Sequence, residues 1–203
     1  MKMAHVTGLF DNHDEALDAV RALEGAGFSA DDISLISNNS DGRYSVEKAT
    51  EGRNAVAGAE TGVGIGALAG CGAGLATGLG LLAIPGVGPV VAGGWLTATL
   101  VGLVGGAAAG GVAGGLVGAL TETGVPEEEA EAYSEAIRRG STLVIVRASD
   151  SERPKAEAIL NEWSRVDIAA RRSAYIEDGW ERFDTAGDPY TTDEIERERR
   201  RWV

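Results

Sequence analysis

The sequence predicts an α+β protein, and three features of the chain lead to that prediction. Toward both ends, short apolar segments with the alternation of β-strands are followed by amphipathic segments with helix-capping residues. In the middle of the chain, residues 61–121, which lie between Glu60 and Glu122, contain no charged residue and are rich in glycine. A polar tail with aromatic residues follows. The predicted parts are residues 1–50 and 124–175 as two halves of an α/β domain, 51–123 as a hydrophobic glycine-zipper helical hairpin, and 176–203 as a tail with a short helix.

The first half of the α/β domain begins with a predicted strand over residues 4–10. Asn12 and Glu15 have the spacing of a capping box, which predicts the start of a helix. Gly25 is placed to end that helix. A second alternating strand is expected over residues 32–36. This half therefore reads as one βαβ unit.

The second half repeats that order. A helix is expected to begin after Pro126, with acidic residues in its first turn, and to be closed by Arg138, Arg139 and Gly140, as the helix dipole prefers. A strand over residues 142–146, another helix and a last strand over residues 166–171 follow. Two βαβ units in tandem predict a four-stranded antiparallel, ferredoxin-like sandwich. The hairpin and one extra helix would then be inserted between its second and third strands.

The uncharged segment contains two rows of glycines with four-residue spacing. Residues four apart share one face of a helix, so each row would form a smooth groove for a second backbone. A flexible linker would instead be rich in polar residues. Helices of roughly 55–84 and 89–121, joined by a turn at Ile84–Pro89, are each long enough to cross a bilayer. The rows predicted to drive oligomerisation are Gly62, Gly66, Gly70, Gly74 and Gly78, and Gly102, Gly106, Gly110, Gly114 and Gly118.

The tail contains aromatic residues that are unusual in so polar a segment. They require a surface to bury against, which could be the chain's own domain or a neighbouring subunit. A disordered tail is the third alternative. Thr191 and Glu194 predict a capped helix near the end. The residues expected to dock the tail are Trp180, Phe183, Tyr190 and Trp202.

The chain resembles bacterial general stress proteins of the heat-induced type in three strings. They are Leu-Ala-Ile-Pro-Gly-Val-Gly-Pro at 82–89, Gly-Val-Pro-Glu-Glu-Glu-Ala at 124–130 and Arg-Arg-Gly-Ser-Thr-Leu-Val at 138–144. The resemblance covers roughly residues 4–173, and Gly179-Trp180, Phe183-Asp184 and Pro189-Tyr190-Thr191 are similar to tail extensions of some members. It implies a glycine-zipper hairpin between two α/β halves, a stress-linked role and no catalytic residues.

Several function classes are disfavoured by composition. A net charge of −13 repels nucleic acid. His5 and His13 lack the partners of a zinc site, and Cys71 is expected to be a small buried residue. No dinucleotide loop, phosphate loop or activated nucleophile is recognisable. We therefore expect no catalytic, cofactor-binding or metal-binding residues, and no signal peptide.

Three functional hypotheses remain, and the first two depend on self-association. In the first, the protein is a membrane-anchored homo-oligomer at the cytoplasmic face of a bacterial inner membrane, with lipid as a second partner. In the second, it is a soluble, cytoplasmic structural protein whose hairpins form the apolar wall of a filament or shell. An enzyme or ligand-binding module is the least favoured class.

Overall fold

The computed structural model describes residues 3–40, 42, 80–97, 99–100, 115–163 and 165–202. Its strands are β1 Met3–Phe10, β2 Ile33–Asn38, β3 Gly80–Ile84, β4 Gly88–Gly93 and β5 Thr142–Ser149. Its helices are α1 His13–Gly25, α2 Gly115–Glu122, α3 Glu127–Arg138, α4 Arg153–Glu162, α5 Ile168–Glu177 and α6 Thr192–Trp202. The predicted α+β class is confirmed.

The strands form one antiparallel sheet in the order β1-β5-β2-β4-β3. Strand β5 lies between the two strands of the first half, pairing Val146 with Val6 and with Ile33. Strand β4 continues the sheet on the other side of β2, through pairs such as Leu35 with Gly93. Both halves of the chain and part of the segment between them therefore share one sheet.

Each face of the sheet carries its own hydrophobic core. Successive strand residues point to opposite faces, so Val144 and Val146 of β5 pack with α1 and α4, whereas Leu143 and Ile145 pack with α2, α3 and α5. We call these the α1 face and the α3 face. The α3 face receives the larger aromatic side chains, including Tyr175.

Helices α1 and α6 begin where the sequence predicts them. The Asn12 side chain accepts a hydrogen bond from the Asp14 backbone N–H at 2.9 Å, which caps α1. Thr191 and Glu194 bond reciprocally at the start of α6, with the Thr191 N–H 2.8 Å from the Glu194 carboxylate. The predicted capping box is thus confirmed.

The helical prediction for residues 80–84 and 89–93 is wrong. These residues are strands β3 and β4, which pair with each other from Gly80–Ala92 to Ile84–Gly88. The physical reason is burial on a sheet: β4 is hydrogen-bonded to β2 on its other edge, and a β-branched pair, Val90 and Val91, suits a strand better than a helix. The chain is helical again at residues 95–97, 99–100 and 115–122.

The inserted segment therefore contributes to the domain over its described residues. Ile84, Val90, Leu116 and Leu120 are at most 2% exposed and belong to the same core as Leu9. Gly118 lies in α2 and is half-buried. The other nine glycines of the two predicted rows lie outside the described residues. Within the part of the chain that is described, no helix has the length and apolar character needed to cross a membrane.

The predicted last strand over 166–171 is also wrong. Val166 alone bridges to Leu9, and α5 begins two residues later. Asp167 caps that helix, because its carboxylate accepts from the backbone N–H groups of Ala169 and Ala170 at 2.9 and 3.1 Å. The capping carboxylate and the alanines after it favour a helix over a strand here.

Candidate functional site

The tail lies against the chain's own domain. Phe183 is 7% exposed and belongs to the core of the α3 face, against which Trp180 and Trp202 also pack. Trp180 stands edge-on to Tyr175 with ring centroids 6.1 Å apart. Tyr190 lies beside the Arg138 guanidinium, 5.1 Å from it to the ring centroid. All four aromatics named from the sequence are therefore placed on the fold. We call residues 183–202 the strap.

Helix α5 contributes a buried arginine beneath the strap. Arg171 is 5% exposed and donates to both oxygens of Asp11, at 2.9 and 2.6 Å. The Trp202 ring of the strap covers the guanidinium, with 3.8 Å between guanidinium and ring centroid. Burial by itself would lower the pKa of Arg171, but the hydrogen bonds and charge of Asp11 outweigh it and raise the pKa overall.

A second buried arginine ends α3. The Nε of Arg139 donates to Glu135, which is fully buried, at 2.6 Å. The Tyr175 ring lies 4.1 Å from the Arg139 guanidinium, and Glu198 of the strap accepts a longer hydrogen bond of 3.4 Å. Burial raises the pKa of Tyr175, and the nearby guanidiniums oppose that rise only in part. The two arginines with Asp11, Glu135 and Tyr175 form what we call the arginine cluster.

The rest of the strap crosses the β3–β4 turn. A Cβ added at Gly86 would meet the Asp184 carbonyl oxygen at 2.5 Å, and one added at Gly88 would meet Pro189 at 2.7 Å. Both glycines have positive φ, +75° and +100°, which disfavours a side chain as well. Only glycine at these two positions allows the strap to approach the turn this closely.

Helix α6 sits on a third glycine. Ile195 is 2% exposed, and its side chain fills the space where a Cβ of Gly140 would lie. Arg199 donates to the Gly140 carbonyl oxygen at 3.0 Å. Arg201 forms a bidentate ion pair with Asp178, just beyond the end of α5. The helix is thus held by one apolar anchor and several charged contacts.

Another polar network is enclosed on the α1 face of the sheet, where Ser37 of β2 and Thr142 of β5 point. The Ser37 hydroxyl lies 2.8 Å from that of Thr142 and 3.0 Å from Nδ1 of His13. An imidazole beside a hydroxyl can activate a nucleophile. Here Ser37 is 1% exposed and His13 is 4% exposed, so the described fold gives a substrate no access to the pair. The network satisfies buried polar groups where α1 begins.

The arginine cluster is not among the features that the sequence predicts. Arg171 was expected in a strand, and Arg138 and Arg139 only as favourable charges at a helix end. A usable signal was present, since four aromatics in a polar tail need partners and arginine side chains stack well on aromatic rings. Cation–π pairing between the tail and these arginines could have been proposed from composition.

The cluster has the features of a docking surface. Its charges are paired, its aromatic faces are occupied by guanidiniums, and no group of histidine, cysteine or acidic side chains suited to a metal occurs among the described residues. The cluster contacts α6 through the carboxylate of Glu198 and the indole ring of Trp202. The chain matches no protein-family model, and the searches of curated proteins and of solved structures found no significant similarity.

Proposed function

We propose that this chain is a non-catalytic, stress-associated protein that self-assembles through the glycine rows of residues 51–123, with the same segment anchoring it at a membrane. The observation that carries the proposal is the uncharged run between Glu60 and Glu122 with glycines at four-residue spacing. Such rows favour close helix association where water does not compete for the backbone. The stress-linked role comes from the resemblance in sequence alone.

Support for the proposal comes from the way in which the chain leaves the two predicted rows and enters the fold. The first row precedes β3 directly, and the second ends in α2, both of which pack on the sheet. A split ferredoxin-like sandwich remains our interpretation of the two halves. The order Val166–β1–β5–β2, with Val166 in place of a fourth strand, is the order that two tandem βαβ units would give.

A specific observation favours the second candidate, a soluble filament or shell with the glycine segments as its apolar wall. The Ile84–Pro89 turn, which a bilayer-crossing hairpin would pass through the membrane, lies beneath the strap. Val87 in that turn is fully buried. Two glycine segments tethered to a β-hairpin can still associate with other copies without passing that turn through lipid.

The test is a pair of bulky substitutions on the predicted rows. Gly70→Leu and Gly110→Leu should reduce the mass of the assembly measured by light scattering, because each fills a groove that a neighbouring backbone would enter. Ala76→Leu and Ala108→Leu are matched controls, since they place the same side chain two residues off a row position, on the opposite face of each predicted helix. They should leave the mass unchanged.

Flotation with anionic lipid vesicles separates the two candidates. A membrane-anchored oligomer should float with the vesicles, and the glycine variants should bind as smaller species. A large particle that forms equally well without lipid favours the filament or shell. A wild-type chain that is monomeric both in buffer and with vesicles would refute self-assembly in either form.

A further inference from the structure

The arginine cluster is organised without the help of the strap. Asp11 holds Arg171 with two hydrogen bonds, and the Ser141 hydroxyl also donates to Asp11 at 3.2 Å. Glu135 holds Arg139 from within α3. None of these partners belongs to the strap. The surface under α6 is therefore a preformed receptor.

The strap is attached to that receptor by two buried apolar side chains, Phe183 and Ile195, and otherwise by polar and ring contacts. These include Glu198 on Arg139 and the Trp202 ring on Arg171. Arg199 and Arg201 add a hydrogen bond to the Gly140 carbonyl oxygen and an ion pair with Asp178. This composition is closer to an interface between separable partners than to a core, because such interfaces are more polar and are enriched in arginine and aromatic residues.

The connection to the strap is short and exposed. Trp180 is tied to the end of α5 by a backbone hydrogen bond to the Tyr175 carbonyl oxygen at 2.9 Å. Phe183 is buried on the α3 face. Between them, Glu181 and Arg182 are both exposed. A few exposed residues of this kind are sufficient for a hinge.

Opening at this hinge would uncover the core of the α3 face around Val87 and remove the Trp202 ring from the guanidinium of Arg171. The group that restores every lost contact is an identical strap, which another copy of the chain carries. Exchange of identical elements between copies is a low-cost route to oligomers, since no new contact is required. We propose that in assemblies of this protein the receptor is occupied by the strap of a second copy.

The inference rests on the proposed function only in that self-association brings copies together. It adds a second interface, made by the strap and the arginine cluster, to the one expected from the glycine rows. The receptor fits a helix that carries an isoleucine, a glutamate and a tryptophan along one face. In the strap these are Ile195, Glu198 and Trp202.

Cysteine cross-linking between differently tagged copies tests the proposal. A Cβ built on Gly140 lies 3.4 Å from the Ile195 Cβ, close to the roughly 3.5–4.5 Å of disulfides. In a Cys71→Ala background, one copy carries Gly140→Cys and the other carries Ile195→Cys. After mixing, incubation and mild oxidation, a heterodimer on a non-reducing gel reports a strap on another copy's receptor.

Two controls define that readout. The doubly substituted chain, with Gly140→Cys and Ile195→Cys together, reports whether the bond can form. Pairing Gly140→Cys with Arg200→Cys measures random encounters, because Arg200 lies on the exposed side of α6. We expect heterodimer several-fold above that control. Heterodimer at the control level, with the double variant fully cross-linked within one copy, would overturn the proposal.

A second measurement covers the case in which Gly140→Cys fails to fold, since its φ of +106° is unfavourable for a side chain. Full chain with Glu198→Ala and Trp202→Ala keeps its receptor but has a weakened strap. It should bind a fluorescent peptide of residues 183–202 several-fold more tightly than wild type does. The Glu196→Ala and Arg200→Ala double variant, altered on the exposed side of α6, is the matched control. Equal binding of the peptide by all three proteins would refute a receptor that accepts a strap in trans.

The outcomes separate this inference from the proposed function. Assembly by light scattering without heterodimer or peptide binding keeps self-assembly and removes strap exchange. Heterodimer formation that survives Gly70→Leu and Gly110→Leu supports strap exchange and removes the glycine rows as the required contact. Absence of both assembly and heterodimer refutes both.

Discussion

Replacing Arg171 with methionine should destabilise the protein strongly. Methionine keeps much of the side-chain volume and removes the charge, so the Asp11 carboxylate loses both hydrogen bonds from the guanidinium. Among the described residues, the Ser141 hydroxyl then remains as its side-chain donor. The Trp202 ring loses its cationic partner in the same step.

The size of the effect can be worked from burial. Breaking a fully buried ion pair by removing one partner costs about 3–5 kcal/mol, because the other charge is left uncompensated. The Arg171 side chain is 5% exposed, whereas that of Asp11 is 23% exposed, so water reaches the carboxylate that is left behind. We therefore expect a loss near the lower limit, about 3 kcal/mol in the free energy of unfolding.

Urea denaturation of the full chain, followed by far-ultraviolet circular dichroism, measures this loss. Arg153→Met is the matched control, because the Arg153–Glu157 ion pair has side-chain exposures of 57% and 39% and should contribute little. The double variant with Asp11→Asn should recover part of the loss. Equal midpoints for Arg171→Met and Arg153→Met would show that the buried pair does not stabilise the fold more than an exposed pair does, and would refute this prediction.

Three further outcomes are expected. Gly86→Ala should destabilise more than Gly27→Ala by about 1–3 kcal/mol in urea unfolding, because both positions have positive φ but only the first meets the strap backbone; equal losses would exclude the clash. Trp202→Leu should lower the stability by about 1 kcal/mol through loss of the cation–π contact, and an unchanged midpoint would argue against that contact. Docking of the strap should weaken in acid, since a side-chain hydrogen bond from Arg201 lowers the pKa of Asp178 and the backbone N–H of Thr191 lowers that of Glu194. Carboxyls with lowered pKa values stabilise the fold above their unfolded values of 3.8 and 4.5 and lose that contribution as the pH falls further. The Trp202 indole resonance should therefore hold constant from pH 7 to about 5 and shift below about pH 4, and a shift centred near pH 6 would contradict this.

Local signals in the sequence were sufficient for most elements of the two halves, and the predicted strand over 166–171 is the exception. Caps at Asn12 and Thr191 and the alternation of β5 depend on neighbouring residues only, so they can be read without the fold. The sheet order could not be read in that way. The pairing of β4 with β2 joins residues that are more than fifty positions apart in sequence, and it decides that Gly80–Ile84 and Gly88–Gly93 are strands.

The arginine cluster could not be predicted from the sequence for a related reason. Whether an arginine is a solvated charge at a helix end or a buried partner depends on what packs over it, and for Arg139 and Arg171 that is the strap. The distance along the chain from Asp11 to Arg171 gives no indication that they touch. The aromatic residues of the tail were predicted to need a surface, but the sequence alone did not identify that surface.

The two glycines of the β3–β4 turn have a physical explanation within this chain. Gly86 and Gly88 adopt positive φ so that the chain can reverse between β3 and β4, and they lack a Cβ where Asp184 and Pro189 pass. The turn therefore supports the strap, and the strap covers the turn. Both glycine rows are joined to that β-hairpin, the first directly before β3 and the second through residues 94–101. Any force that assembly exerts on the rows is transmitted to the β-hairpin, and hence to the strap that crosses it. Strap docking and association through the rows are coupled on this account, and the free energy of one should change when the other is altered.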